Sequence, residues 1–188
     1  MTSPDKTTTI EHTLKQLIGL QLFKAWNVYG TRMFYFAAPG AEDQKGDGEY
    51  RLTLECPWRI ERDDRILVGS EDYGLRAEGN SDPAWNPTEM QWGHRQDQKL
   101  EEILGESKNG AIFNTKSALI VEFVTADVFG GFNLSLSGGY ALATFPASEA
   151  TMEWLLSCTA GGDLALTDGV LSGSPPPHNG DSTTLSRN

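Results

Sequence analysis

Seven consecutive residues, Tyr50-Arg51-Leu52-Thr53-Leu54-Glu55-Cys56, alternate apolar and polar side chains without a break. Successive side chains of a β-strand point to opposite faces, so this alternation predicts a strand with one face in a core and one in water. Tyr50, Leu52, Leu54 and Cys56 share the inward face; Arg51, Thr53 and Glu55 share the outward one. Pro57 then removes a ladder donor and predicts a bulge or a break near a sheet edge. The next residues, "WRIE" and "RILVGS", flank Asp63-Asp64, which reads as a tight turn between two strands.

The same grammar repeats along the chain. "QLFKAWNVY" and "RMFYFAA" are joined by Gly30-Thr31. "SALIVEFVTAD", "GFNLSLS" and "YALATFP" form a meander with Gly130-Gly131 and Gly138-Gly139 at its turns, because glycine accepts the positive φ that tight hairpins need. "MEWLLSC" is a further strand, and "DLALTDGVLSG" a short hairpin around Asp168-Gly169. Two segments break the strand period. Ile10, Leu14, Leu17 and Ile18 recur at helical spacing after a possible cap at Thr8 or Thr9, and Gly19 closes that helix. Leu100, Ile103 and Leu104 give a narrow apolar stripe over 95–105, ended by Gly105 or Gly110. The reading is therefore α+β: a mostly antiparallel sheet or half-barrel of eight or nine strands with two helices packed on it.

A chain of 188 residues suggests one domain. Its expected limits are 9–171, after a polar N-terminus over 1–8 and before "SGSPPPHNGDSTTLSRN", a tail from 172 whose composition gives it no apolar surface to bury. The N-terminus lacks the basic start and apolar stretch of a secretory signal, and no apolar run approaches the ~18 residues of a membrane span. A cytoplasmic location without membrane partners is expected.

The net charge of -11 argues against nucleic acid, which is bound by clustered Lys and Arg. It permits a basic protein partner. The two cysteines, Cys56 and Cys158, form neither a CxxC nor a disulfide framework. His12, His94 and His178 are as isolated as the cysteines, so no structural zinc is expected. "DQKGDGEY" fails as an EF-hand loop, since counting from Asp43 puts Lys45 at a ligand position and Leu54 where the bidentate glutamate belongs. The acids Glu42, Asp43, Asp47 and Glu49 then read as a solvated loop.

Nucleophilic and cofactor chemistry fare no better. Cys56 with His94 is a conceivable dyad, but the alternation points Cys56 into the core, where a thiol is hard to ionise. There is no G-x-S-x-G elbow, no phosphate-binding loop and no dinucleotide fingerprint, so no cofactor is expected. Asp63-Asp64 and Glu71-Asp72 are paired carboxylates, and turn acids of this kind are common for local reasons.

The feature left over is the segment 71–93. It reads as a loop yet contains Tyr73, Trp85, Met90 and Trp92 among acids. Either these rings anchor a partner, as Trp and Tyr do at interface hot spots, or the loop folds back and they cap the sheet. The second has the physical advantage that a long loop is stabilised by burying its own Trp.

The strings "LIGLQLFKAWNVYGTRMFYFA", "CPWRIERDDRILVGSEDY", "WGHRQDQKLEEIL" and "SALIVEFVTADVFGGFNLSLSGGYALATFP" occur in that order. This pattern, over about residues 10–170, resembles an uncharacterised family of small bacterial proteins. The resemblance implies a shared fold and no assigned reaction; "MEWLLSCTAGGDLAL" departs from its aromatic, charged ending.

The expectation is a non-catalytic interaction protein, comparable to an immunity or antitoxin-type inhibitor of a basic protein, with Trp85, Trp92, Glu71, Asp72, Tyr73 and His94 as candidate binding residues. The alternative is a small-molecule-binding protein or hydrolase with Glu71, Asp72, His94 and Cys56 lining a cleft.

Overall fold

The computed structural model describes residues 5–41, 47–87, 93–147 and 152–174. In chain order, α1 (Lys6–Leu14) leads through a short 3-10 turn to the hairpin β1 (Gln21–Val28) and β2 (Thr31–Ala37). After a loop come β3 (Tyr50–Leu54), β4 (Trp58–Arg62) and β5 (Arg65–Gly69), then a 3-10 turn, Ser70–Asp72. Helix α2 (Arg95–Ile103) precedes β6 (Gly105–Lys108), β7 (Ala111–Asn114), β8 (Val121–Ala126), β9 (Phe132–Leu136) and β10 (Tyr140–Thr144). The last strands are β11 (Met152–Cys158), β12 (Asp163–Thr167) and β13 (Val170–Ser174).

These strands do not form one sheet or a half-barrel, as the sequence had suggested. They form two antiparallel sheets, ordered β13-β12-β11-β3-β2-β1-β7-β6 and β5-β4-β10-β9-β8. The reason lies at Glu55–Pro57. The N–H groups of Glu55 and Cys56 both donate to the Glu153 carbonyl, and Pro57, which has no N–H, accepts from Phe145 instead. The chain thus leaves β3 in one sheet and enters β4 in the other. Pro57 marks this corner and not a sheet edge, since β4 lies between β5 and β10.

The inward half of the alternation in Tyr50–Cys56 holds: Tyr50, Leu52, Leu54 and Cys56 are buried in one continuous core fed by both sheets, while on the other face Arg51 and Glu55 are exposed but Thr53 is buried as well. Its packing includes two edge-to-face ring contacts. Phe34 of β2 meets Trp58 of β4 at 5.2 Å, and Phe132 of β9 meets Trp154 of β11 at 5.4 Å. Each sheet contributes one Trp and one Phe, so the two contacts join the layers reciprocally.

Asp63 and Asp64 both have positive φ (51° and 59°), the conformation of a two-residue turn whose twist matches its strands. The hairpin β6–β7, turning at Asn109-Gly110, is an element the sequence reading assigned instead to the end of α2. Helix α2 stops at Ile103, and the polar "GESK" of β6 gives no strand period to read. Helix α1 begins at Lys6, ahead of the expected caps, and packs on β8; α2 packs on β5, β6 and β7. The expected boundary at 171 falls inside β13, and the tail beyond Ser174, with His178, lies outside the described residues. No helix among the described residues is long and apolar enough to cross a membrane. Of the acidic loop, Glu42 and Asp43 lie outside the described residues; Asp47 pairs with Lys24 at 3.3 Å, and Glu49 accepts the Ala38 N–H.

Candidate functional site

Strand β5 ends at Gly69, whose N–H donates to Asp72 Oδ2 at 3.0 Å. The other Asp72 oxygen accepts from Lys99 Nζ at 2.7 Å, which ties the 3-10 turn to α2. The chain then runs back along the start of that helix. Arg76 and His94 form an isolated antiparallel bridge, the Ala77 N–H donates to the Gly93 carbonyl, and the Arg95 N–H donates to the Leu75 carbonyl at 2.7 Å. The Glu78 N–H donates to Gln98 Oε1. A segment that composition marks as loop is thus bonded to α2 through main chain at several points.

His94 is the centre of this arrangement and is fully buried (0 % exposed). Its Nδ1 accepts the Gly74 N–H at 3.1 Å. The Tyr73 ring stacks on it at 4.3 Å and 25°, and Trp85 meets it edge-on at 5.6 Å. The Arg76 guanidinium lies 5.1 Å from the Trp85 ring centre, a cation over an electron-rich face. So Trp85 folds back, as loop stability demands, and holds the loop in place. Trp92 and Met90 lie outside the described residues.

Beneath the loop sits a residue the sequence reading passed over. Arg32 of β2 is fully buried; its Nε and Nη2 both donate to Gln96 Oε1, and Nη2 also donates to Asp97 Oδ1 at 2.8 Å. Gln96 Nε2 in turn donates to the Gly69 carbonyl. Burial pulls the Arg32 pKa below its ordinary value, and the Asp97 charge opposes that shift. Burial also raises the Tyr73 hydroxyl, with Asp97 adding to it. A signal for Arg32 was present: it shares the inward period of Phe34 and Phe36.

The remaining candidates are distributed over separate places. Glu71 and Asp72 line a cavity of about 470 Å³ with Trp58, Ile66, Lys99 and Phe145. His94 lines a hollow of about 260 Å³ with Glu78, Asp97 and Glu101. Cys56 is in the core, where burial pushes its thiol up to about 12. We expect a thiol reagent on the native protein at neutral pH to label Cys158, which is partly exposed, and to spare Cys56 until unfolding. Peptide mapping after labelling reads this directly, and early modification of Cys56 would contradict its placement. Among the described residues, no group of three or more His, Cys, Asp and Glu side chains is placed to hold a metal ion.

No protein-family model, curated protein or solved structure matches the chain.

Proposed function

We propose that this chain is a non-catalytic, cytoplasmic binding protein that inhibits a basic protein partner, in the manner of an immunity protein or antitoxin. The observation that carries this reading is the clamped loop over α2. Tyr73, His94 and Trp85 hold its described part, residues 73–87, so Glu78 is presented from an anchored segment. Glu78 of the loop and Asp97 and Glu101 of the helix line one hollow on that surface, and Leu75 stands 44 % exposed on the same strip of chain. A preordered loop binds without the entropic cost of fixing itself, and a patch of one sign steers a partner of the other. The net charge of -11 adds a field of the same sense.

The test is affinity capture from a lysate of the source cells, using the intact protein and the double variant Glu78→Lys/Glu101→Lys. At about 50 mM salt the intact protein is expected to retain a basic protein stoichiometrically, and at about 0.5 M salt, where the Debye length falls to roughly 4 Å, to lose it. The double variant is expected to retain none at either salt. Capture that ignores salt, or that survives the charge reversal, overturns the proposal.

A further inference from the structure

The cavity beside the 3-10 turn has a construction of its own. Strands β4 and β5 pair Arg59 with Gly69 and Glu61 with Ile66, and the register slips by one residue between them. Arg59 alternates with the buried Trp58 and Ile60, so Arg59 and its partner Gly69 belong to the outward face of the five-stranded sheet. At Gly69 that face has no side chain. A Cβ there would lie 2.9 Å from the Trp58 carbonyl oxygen, so the main chain of the neighbouring strand closes the position to larger residues. Glycine inside a strand often marks a bulge or the close approach of another backbone, and here the register slip and the Trp58 main chain account for it. The cavity that Gly69 lines is about 470 Å³, within the range of small-molecule sites.

Its walls combine two kinds of surface. Ile66, which is 62 % exposed, Phe145 and Pro57 supply apolar contact. Arg59, Lys99, Glu71 and Asp72 supply charge. Both cations are positioned by partners: Arg59 Nε lies 2.7 Å from Glu61 with its guanidinium 4.7 Å from the Phe145 ring centre, and Lys99 Nζ lies 2.7 Å from Asp72. Each keeps further N–H groups with no partner among the described residues, and the Glu71 carboxylate is exposed with none. A cavity with donors of positive charge, an acceptor of negative charge and an apolar wall selects a ligand that carries all three complements.

We infer that this cavity binds a small zwitterion with an apolar body, the chemistry of a free aliphatic or aromatic amino acid. Its carboxylate bonds to Arg59 and Lys99, its ammonium to Glu71, and its side chain packs on Ile66, Phe145 and Pro57. Charge-assisted bonds of this kind fix orientation, and the apolar wall sets the preference among side chains.

The experiment is a titration of the full chain, isotope-labelled for amide resonances, with L-phenylalanine, L-leucine, N-acetyl-phenylalanine and phenethylamine. Phenylalanine or leucine is expected to give saturable shifts at Gly69, Ser70 and Lys99 with Kd near or below about 1 mM. The two analogues, each lacking one charge, are expected to bind about tenfold more weakly, the loss of one charge-assisted contact. Glu71→Gln, a change at an exposed side chain, is expected to weaken the amino acids about tenfold and to leave N-acetyl-phenylalanine unchanged. The inference is overturned if no ligand saturates by about 10 mM, if the analogues match their parent, or if Glu71→Gln alters nothing. Glu78→Lys/Glu101→Lys lies outside this cavity and is expected to leave the titration unchanged, so the result stands apart from that of the capture experiment.

Discussion

Trp154→Ala is expected to cost about 4 kcal/mol of folding free energy, the upper part of the range for truncating a buried aromatic. The side chain is fully buried in the core shared by the two sheets. It makes an edge-to-face contact with Phe132 at 5.4 Å, and its Nε1 donates to the Gly130 carbonyl at 2.9 Å. Alanine would leave a cavity between the layers and an unsatisfied buried carbonyl at the β8–β9 turn, two penalties that add. Trp58→Ala removes the opposite contact, with Phe34, and is expected to cost about 3 kcal/mol. Urea unfolding followed by far-UV circular dichroism measures both. A loss below about 1 kcal/mol at Trp154 would mean that the layers are not joined there.

The second large effect is expected at Asp97. Arg32 is buried, its Nη1 already has no hydrogen-bond partner among the described residues, and Asp97 supplies the charge that offsets its guanidinium. Removing one partner of a buried ion pair is far more damaging than removing both, because the survivor stays charged in a poor solvent. Asp97→Ala is expected to destabilise the protein by about 3 kcal/mol. Glu101→Ala, one helical turn away on a partly exposed face, is expected to cost under about 0.5 kcal/mol. Paired thermal and urea melts compare them. Equal losses would show that the buried charge of Arg32 does not set Asp97 apart.

Strands and turns were legible because they are written locally. Tyr50–Cys56 states its own inward face, and Asp63-Asp64 and Asp168-Gly169 state their own turns. What separates one sheet from two is not local. It depends on Leu52 of β3 pairing with Leu156 of β11 and Leu142 of β10 with Ile60 of β4, contacts that no window of sequence contains. Asn109-Gly110 carried a strong hairpin signal that the neighbouring helix stripe obscured.

The candidate site was legible in the same measure. Tyr73, His94 and Trp85 were singled out as aromatic residues in a loop, and they do meet. Glu71 and His94 were grouped as ionisable residues of one cleft, yet they line different hollows. Arg32 escaped because a charged residue in an apolar strand reads as facing water, and only Gln96 and Asp97, brought from α2, make its burial tolerable.

The strand order of the larger sheet has a consequence for how the chain is made. Strand β3 is flanked by β2, which precedes it, and by β11, which emerges from the ribosome only after seven other strands and one helix have followed β3. Until then the main-chain groups of β3 that will face β11 are a bare edge, the kind of surface on which other chains nucleate. Pairing at such sequence separation is slow because loop closure must come first. A nascent or truncated chain ending before Met152 therefore has an open seam in its sheet, and folding intermediates of this protein are expected to be prone to self-association at that seam.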